Sequence, residues 1–405
     1  MRTLTLVNAG GYRRVRAQAV DLGETRKQVS MTNRRSLLLR TMLALFATSV
    51  VGLASTIYSV SPIPFPSGLT PGVITVAMSG INNSGQVAGT GINSLGVEQA
   101  FIGTTSGSTL IPLPPGWSEA FGDEAENIGY AINASGQVAG SAYNGYNYQA
   151  FIGTTSGSTL VLQSSGYAIN ASGQVAGSAQ NGNITQAFVG GGVIPLPSGW
   201  TLAGAFAIND SGQVAGYGYN SGGGLQAFIG TASGSTAIPL PSGWGGAWGW
   251  AINASGQVAG YGYNGGFAQA FIFTTLGSTA IPLPAGASSA TVSFQSLNDS
   301  GVVVGDSYVG GWIFDASDGT QLLNNLVPSG WDITNAISIS DSGLILAQGS
   351  FNGGSTEYVE LDPTTPEPGT CLLAAAGLML LAFARRAVSR RPRASQWGWC
   401  RLPQL

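Results

Sequence analysis

The stretch that decides the fold is AINASGQVAG, which occupies Ala131–Gly140 and recurs letter for letter at Ala168–Gly177 and Ala251–Gly260. An apolar pair, an Asn-x-Ser-Gly segment and a second apolar run are typical of two short strands joined by a tight turn. Asn bonds its own backbone in turns and glycine supplies a positive φ, so turn chemistry explains the repeated polar residues. The stretch predicts a β-hairpin that the chain uses several times.

Seven versions of this hairpin follow one another along the chain. An aligned polar residue marks each of them: Asn82, Asn133, Asn170, Asn209, Asn253, Asn298 and Ser340. Neighbouring marks lie 51, 37, 39, 44, 45 and 42 residues apart. A period of about 40 residues indicates a repeat architecture.

Each unit carries two further strand-like segments. The first is a Gln-Ala-Phe strand, which begins at Gln99, Gln149, Gln186, Gln226 and Gln269 and has Trp312–Phe314 and Glu357–Val359 as its last two counterparts. The second is Ile-Pro-Leu-Pro-x-Gly, as at Ile238–Gly243, which we expect at a sheet edge because proline donates no ladder bond. Four strands in about 40–45 residues predict propeller blades, and hence an all-β, seven-bladed β-propeller over residues 56–362.

The two ends of the repeat array indicate how the ring closes. The seventh unit lacks the proline-rich strand, whereas Pro62–Gly68 has that sequence without a unit of its own. An N-terminal strand that completes the last blade would close the propeller. The alternative is a stray partial repeat in an open array.

Charge is distributed very unevenly. All fifteen Lys and Arg lie within Arg2–Arg40 or Arg385–Arg401, the chain has no His, and the 344 residues between carry only acidic charge. Nucleic-acid binding by this body is therefore not expected. A histidine base, a lysine nucleophile and an arginine clamp are also excluded there, which leaves carboxylates and hydroxyls for any catalysis.

The N-terminal region predicts export. Residues 31–54 have a basic start, an apolar run and small residues before a cleavage point after Ala54, which is the pattern of a secretory signal peptide. We expect translation to start at Met31, with residues 1–30 a wrongly assigned upstream segment; an unusually long basic region is the alternative. A buried N-terminal helix is the alternative to a signal peptide.

The C-terminal region predicts a sorting address. Pro366, Glu367 and Pro368 precede an apolar run at Cys371–Ala384, and Arg385 and Arg386 open a basic cluster. Residues 363–393 resemble a PEP-CTERM sorting signal, although here a tail, 394–405, extends beyond the usual end. The resemblance implies an exosortase as processing partner, a transmembrane helix at 371–384, transient anchoring in the inner membrane of a Gram-negative bacterium and an exopolysaccharide context. A plain C-terminal membrane anchor is the alternative.

The repeats themselves resemble a second family. The alternation of Gln-Ala-Phe with Gly-Ile-Asn and Gly-Gln-Val-Ala-Gly over Gly80–Phe314, and more weakly to Val359, is similar to HAF extracellular repeats. Gln stands here for the family's His, and Ile-Gly for its usual Leu-Trp. The resemblance implies export and repetition rather than an activity.

Candidate site residues are few. The loops after the Gln-Val-Ala-Gly strands are rich in tyrosine and suit sugar or protein recognition; the candidates are Tyr143, Tyr146, Tyr148, Tyr217, Tyr219, Tyr261 and Tyr263. Packing of Tyr217 and Tyr219 between blades is the alternative. Asn-x-Ser, present in six units, formally matches a glycosylation sequon, and Asp315–Gly319 faintly resembles a calcium loop, but turn chemistry explains both better.

These observations predict an exported, non-catalytic protein of the cell surface or extracellular matrix that binds or structures exopolysaccharide or biofilm. We expect no cofactor, no metal and no catalytic residue. Two alternatives remain. One is a secreted glycan-active propeller enzyme that uses carboxylates from distant blades, and the other is a self-assembling coat protein.

Overall fold

The structure, a computed structural model, describes residues 57–71, 78–94, 96–115, 125–144, 148–162, 165–181 and 184–364. Regular structure in these ranges is β-strand, apart from a short 3₁₀-helix at Leu323–Asn325. The strands are β1 (Ile57–Pro62), β2 (Thr70–Pro71), β3 (Met78–Ile81), β4 (Val87–Ile92), β5 (Glu98–Thr104), β6 (Gly107–Leu110), β7 (Ala125–Ile132), β8 (Val138–Asn144), β9 (Tyr148–Thr154), β10 (Gly157–Leu162), β11 (Ser165–Ile169), β12 (Val175–Asn181), β13 (Ile184–Val189), β14 (Gly192–Val193), β15 (Leu202–Ile208), β16 (Val214–Tyr219), β17 (Leu225–Thr231), β18 (Gly234–Ala237), β19 (Trp244–Ile252), β20 (Val258–Asn264), β21 (Phe267–Thr274), β22 (Gly277–Ala280), β23 (Val303–Gly305), β24 (Trp312–Asp315), β25 (Gly319–Leu322), β26 (Trp331–Ile339), β27 (Ile345–Phe351) and β28 (Glu357–Thr364).

These strands form seven antiparallel sheets, the blades of a β-propeller, as the repeat period predicts. Blade 1 contains β2–β6, blade 2 β7–β10, blade 3 β11–β14, blade 4 β15–β18, blade 5 β19–β22, blade 6 β23–β25, and blade 7 β26–β28 together with β1. The innermost strands β3, β7, β11, β15 and β19 of blades 1–5 contact one another in turn, and β26 of blade 7 contacts β3. Within each blade the following strands pair in sequence, apart from β1, which joins blade 7 from the N-terminal end.

The antiparallel path gives the propeller two different faces. The Asn-x-Ser-Gly turns join first to second strands, and the turns between third and fourth strands lie at the same end of each blade. We call this end the turn face. The loops between second and third strands, such as Tyr219–Leu225 and Asn264–Phe267, lie at the opposite end, which we call the hairpin face.

The core consists of seven apolar clusters, one between each pair of adjacent blades. The Gln-Ala-Phe motif supplies a fully buried ring to five of them, for example Phe271. That ring lies opposite the last glycine of Gln-Val-Ala-Gly, as in the pair Gly260 and Phe271. The glycine leaves the space that the ring fills, which explains why the two motifs recur together.

The fourth strand is not the segment that the sequence predicts. Ile-Pro-Leu-Pro-x-Gly, as at Ile238–Gly243, is not a strand; the outer strand is the Gly-Ser-Thr segment before it, as in β18. The prediction was wrong because proline removes the donors that a ladder needs. One hydrogen bond of the ladder remains at the start of this segment, where Ile238 N–H donates to Ala227 O at 2.8 Å.

The proline-rich segment instead links neighbouring blades at their outer edge. The hydroxyl of Ser235 in blade 4 donates to Pro195 O in blade 3 at 2.7 Å, and Thr320 in blade 6 donates to Pro282 O in blade 5 at 2.6 Å. A proline carbonyl keeps its acceptor although its nitrogen has no hydrogen. The motif therefore connects blades rather than extending one.

The N-terminal strand closes the ring, as the sequence predicts, but with an earlier stretch of residues. β1 is the outer strand of blade 7 and pairs with β28 from Ile57↔Thr364 to Pro62↔Val359. Ile63 then donates to Tyr358 O at 2.8 Å, in the way Ile238 does in blade 4. Only the start of Pro62–Gly68 belongs to the strand, and Ile63–Pro66 takes the place of the proline-rich connector.

Blade 6 departs from the common plan. Its sheet has three strands, and its innermost segment pairs only through isolated bridges at Leu297↔Val303 and Thr291↔Asp306. Gln295 interrupts this segment at a φ of 50°, in the left-handed region that a non-glycine residue seldom adopts. Its amide donates across the axis to Ile132 O in blade 2 at 3.2 Å.

The predicted signal peptide (31–54), the upstream segment (1–30), the sorting signal (363–393, apart from Pro363 and Thr364, which belong to β28), the transmembrane helix (371–384) and the tail (394–405) lie outside the described residues. Within the part of the chain that the structure describes, no helix has the length and apolar character to span a bilayer.

Candidate ligand-binding surfaces

The repeated asparagine has two structural tasks. In blade 4, Asn209 Oδ1 accepts the N–H groups of Ser211 and Gln213 at 3.1 and 3.0 Å, which builds the predicted turn. Its Nδ2 donates to Gln213 Oε1 at 2.9 Å and to Asn253 O in the next blade at 3.0 Å. The turn therefore accounts for only one of the two roles of the asparagine that recurs in each unit.

The second task produces a belt of hydrogen bonds around the axis. From Asn82 to Asn298 each Nδ2 donates to the backbone carbonyl of the next marked residue, at 3.0 to 3.3 Å. At the closing junction of blades 7 and 1, Ser338 Oγ accepts from Ile81 N–H and Asn83 Oδ1 accepts from Ser342 N–H. Because these six asparagines are buried and hydrogen-bonded, we interpret them as scaffold rather than as glycan acceptors.

The belt gives a first prediction. Asn209→Asp keeps the turn acceptor but removes both Nδ2 donors and buries a charge beside Asn253 O and Gln213 Oε1, so we expect the free energy of unfolding to fall by about 2–3 kcal/mol. Asn220→Asp is the matched control, because Asn220 accepts from Gly222 and Gly224 in the same kind of turn without a bond to another blade. Denaturant unfolding measures the free energy of unfolding of both variants. Equal losses in Asn209→Asp and Asn220→Asp would contradict a stabilising role of the belt.

A shallow cup opens at the turn face on the axis. It has a volume of about 180 Å³ and is lined by residues of all seven blades. Its wall is formed by isoleucines such as Ile132 and Ile252, and Asn83, Asp210, Asp299 and Asp341 contribute side chains near its mouth. Asp210, Asp299 and Asp341 each accept a backbone N–H of a neighbouring turn, so these carboxylates also connect blades.

Beneath the cup, aromatic rings fill the axis. We call Tyr130, Tyr167, Phe206, Trp250 and Phe294 the axial aromatic cluster; neighbouring rings have centroids 4.8 to 6.3 Å apart. The first four of these residues sit at β-bulges of the innermost strands. A bulge re-aims the side chain of its extra residue, which brings these rings together at the centre.

The structure separates the predicted tyrosines into residues that pack against other aromatic rings and residues that stay accessible. Tyr217 stacks on Phe206 with an interplanar angle of 3°, and Tyr261 packs on Trp248 at 4.8 Å, so both are largely structural. Burial raises the pKa of Tyr217 and of Tyr261 above the ordinary value. Tyr217 also contacts Trp248 and Trp250 of blade 5, with ring centroids 6.2 and 5.8 Å apart, so the alternative interpretation, packing between blades, describes Tyr217.

The remaining tyrosines stay accessible at the hairpin face. Tyr148, Tyr219 and Tyr263 are 49%, 39% and 45% exposed. Tyr143 pairs with Tyr148 across the hairpin at 4.7 Å, whereas Tyr146 lies outside the described residues. Ala54, Pro366, Glu367, Pro368, Arg385 and Arg386 lie outside them as well.

Two aromatic residues of this surface are missing from the sequence-based site. Trp248 contacts Tyr263 with centroids 5.5 Å apart and also faces Tyr217, and Phe267 is 59% exposed at the tip of the same blade. The signal that could have identified Trp248 is its spacing from Trp250, since residues two apart in a regular strand point to the same face.

The possible calcium loop at Asp315–Gly319 is a turn. Asp315 Oδ1 accepts the N–H and the hydroxyl of Ser317 at 2.7 and 2.6 Å, and these bonds lower the pKa of the carboxyl. Among the residues that the structure describes, no group of three His, Cys, Asp or Glu side chains could hold a metal ion.

No family model and no curated protein matches the chain. Solved structures that it resembles include a Mycobacterium tuberculosis puromycin-hydrolyzing peptidase, with 12% identity, a TM-score of 0.38 and coverage of 71% of this chain and 61% of that one. Trypanosoma rangeli sialidase has 10% identity, a TM-score of 0.32 and coverage of 71% and 55%. The six-bladed Aleuria aurantia lectin has 10% identity, a TM-score of 0.28 and coverage of 78% and 99%. The chain spans less than two thirds of the peptidase and of the sialidase, and likenesses this distant carry no conclusion about function.

Proposed function

We propose that the chain is an exported, non-catalytic cell-surface or matrix protein that binds exopolysaccharide through the hairpin face of its propeller. The observation that carries the proposal is the set of accessible rings on this face: Tyr148, Tyr219, Tyr263 and Phe267. Aromatic rings offer flat apolar faces, and tyrosine adds a hydroxyl at little entropic cost. Sugar rings need this combination.

The arrangement in blade 5 supports binding because its rings are held in place. Tyr263 packs on Trp248, and Trp248 in turn contacts Tyr217, which stacks on the axial aromatic cluster. At the same hairpin, Asn264 Nδ2 donates to Gln269 Oε1 at 2.8 Å. A surface whose side chains are already ordered loses less entropy when a ligand binds.

Charge restricts the ligand class. The described residues contain acidic side chains and neither Lys nor Arg. Such a body repels polyanions and gives no phosphate contacts, so the proposal favours a neutral polysaccharide over an acidic one or a nucleic acid.

The positions of the two chain ends agree with delivery by a signal peptide and a PEP-CTERM-like signal processed by an exosortase. Ile57 and Thr364 are directly paired at the turn face. Ala54 precedes Ile57 by three residues, and Pro366 follows Thr364 by two.

Binding is tested with the double variant Tyr263→Ala/Phe267→Ala and polysaccharide from the producing organism. We expect affinity to fall at least about tenfold, because two ordered aromatic contacts are lost. Leu276→Ala is the control: Leu276 is 98% exposed but lies at the turn face. Co-sedimentation with the polysaccharide measures the affinity.

Three results would overturn parts of the proposal. Equal binding by the double variant would remove the hairpin face as the site. Hydrolysis of the polysaccharide would favour the enzyme alternative, and assembly without any ligand would favour the coat protein. For sorting, deletion of residues 366–393 should abolish processing by the exosortase, and unchanged processing would contradict it.

A further inference from the structure

A second cavity lies at the turn face between blades 6 and 7. It has a volume of about 120 Å³, and its polar lining includes Tyr58, Asn298, Asp315 and Asp318. An engineered cavity of about 150 Å³ takes up a benzene ring, so this one has room for a group of nearly that size. It is separate from the hairpin face.

The cavity coincides with a departure from the repeat. Blades 1–5 have Gln in Gly-Gln-Val-Ala-Gly, and its Oε1 accepts from the marked asparagine, as Gln257 does from Asn253 at 2.7 Å. Blade 6 has Val302 at that position, and Val302 lines the cavity. The substitution removes both an acceptor and the volume of its amide group.

The side-chain amide of Asn298 has one hydrogen-bond donor without an acceptor. Its Oδ1 accepts from Ser300 and Val302, and its Nδ2 donates to Ser340 O at 3.3 Å. The second Nδ2 hydrogen has no acceptor among the described residues, although Asn298 is only 5% exposed. An unsatisfied buried donor destabilises a protein unless a ligand or water takes it.

Tyr58 adds a second buried polar group. The residue is 4% exposed and lines the cavity. Burial, together with the charge of Asp315, raises the pKa of Tyr58 to about 12. The hydroxyl is protonated at neutral pH, and Tyr58 and Asp315 both line the cavity.

The acceptors come from one turn of blade 6. Asp315 is held by Ser317 and stays ionised because those bonds lower its pKa. Asp318 is exposed and lies at the mouth of the cavity. Ile313 and Leu326 supply apolar wall. The cavity is thus lined by the polar side chains of Asn298 and Tyr58, the amide of Gln321, two carboxylates and apolar surface.

We propose that this cavity is a binding site for a neutral, hydroxyl-rich group, such as part of one sugar unit that enters from its open side. Two carboxylates would repel an anion, and buried N–H and O–H donors are poor neighbours for a bare cation. Hydroxyl groups donate to Asp315 and Asp318 and accept from Asn298 and Tyr58, while the C–H face of the ring packs on Ile313. The inference does not rest on the proposed function of the hairpin face.

The test uses the full chain and ligand-observed saturation-transfer NMR with D-glucose, D-galactose and D-mannose at millimolar concentrations. We expect at least one hexose to bind, and D-glucuronate to bind more weakly because of its charge. Tyr58→Phe should weaken binding at least about fivefold, since it removes one hydrogen bond. Val302→Gln should abolish binding, because it rebuilds the arrangement of blades 1–5 and fills the cavity.

Controls keep the outcome decisive. Tyr308→Phe removes a hydroxyl of the same blade outside the cavity and should bind as the wild type does. Thermal unfolding checks that each variant is folded; Val302→Gln should unfold at the wild-type temperature or higher. Absence of hexose binding by the wild type, or equal binding by Val302→Gln, would overturn the proposal. So would calcium stabilisation that Tyr58→Phe abolishes, which would make this a cation site.

Discussion

Deletion of Ile57–Pro62 is expected to destroy the closed propeller. β1 supplies all six residue pairs that cover the edge of β28. Its Tyr58 belongs to the apolar cluster between blades 6 and 7, with the fully buried Val359 and Leu361. Loss of this burial and of the edge pairing should cost at least about 4 kcal/mol, a large part of the stability of an ordinary domain. Circular dichroism during thermal unfolding should show no cooperative transition at the wild-type temperature.

A circular permutant separates the role of the strand from that of its position in the chain. Thr364 and Ile57 are paired as Thr104 and Gly107 are in blade 1, where two residues join third and fourth strands. A chain that runs from Ile63 to Thr364, through Ser-Gly, into Ile57–Pro62 should therefore keep blade 7 whole. We expect it to unfold near the wild-type temperature. An equal fall of the unfolding temperature in the permutant and in the deletion variant would contradict closure of the ring by β1.

Gly260→Ala is expected to destabilise the protein strongly. A Cβ at Gly260 would lie 2.0 Å from Trp248 O and 2.9 Å from the ring of Phe271. The first contact is with the backbone of the adjacent strand, so relief requires β19 and β20 to separate. We expect the free energy of unfolding to fall by about 3 kcal/mol or more.

Gly245→Ala in the same blade is the matched control. No atom lies within 4 Å of a Cβ placed there, and its backbone is not in the left-handed region. Denaturant unfolding should show a change within about 0.5 kcal/mol for this variant. Equal losses of unfolding free energy in the Gly260→Ala and Gly245→Ala variants would mean that Gly260 is not needed to accommodate the neighbouring strand and ring.

The sequence predicted those parts of the fold that depend on neighbouring residues. Asn-x-Ser-Gly specifies its turn within five residues, and six copies of it together with Ser340–Gly343 predict seven blades. The proline-rich segment was misplaced because local sequence shows that proline weakens a ladder, but not that Pro195 O accepts from Ser235 forty residues away. Of the candidate site residues, the sequence could not show which are packed: Tyr219 and Tyr263 are accessible, whereas Tyr217 stacks on Phe206.

By itself, the sequence determined the number of blades, the hairpin turns, the closure from the N-terminus and the absence of cationic side chains from the body. Only the tertiary structure decided which side chains connect blades and which remain accessible. The belt from Asn82 to Asn298, the rings at the β-bulges and the cavity beside Val302 join residues from different blades. Such contacts arise when the ring closes, because closure brings residues about 40 positions or more apart within hydrogen-bonding distance.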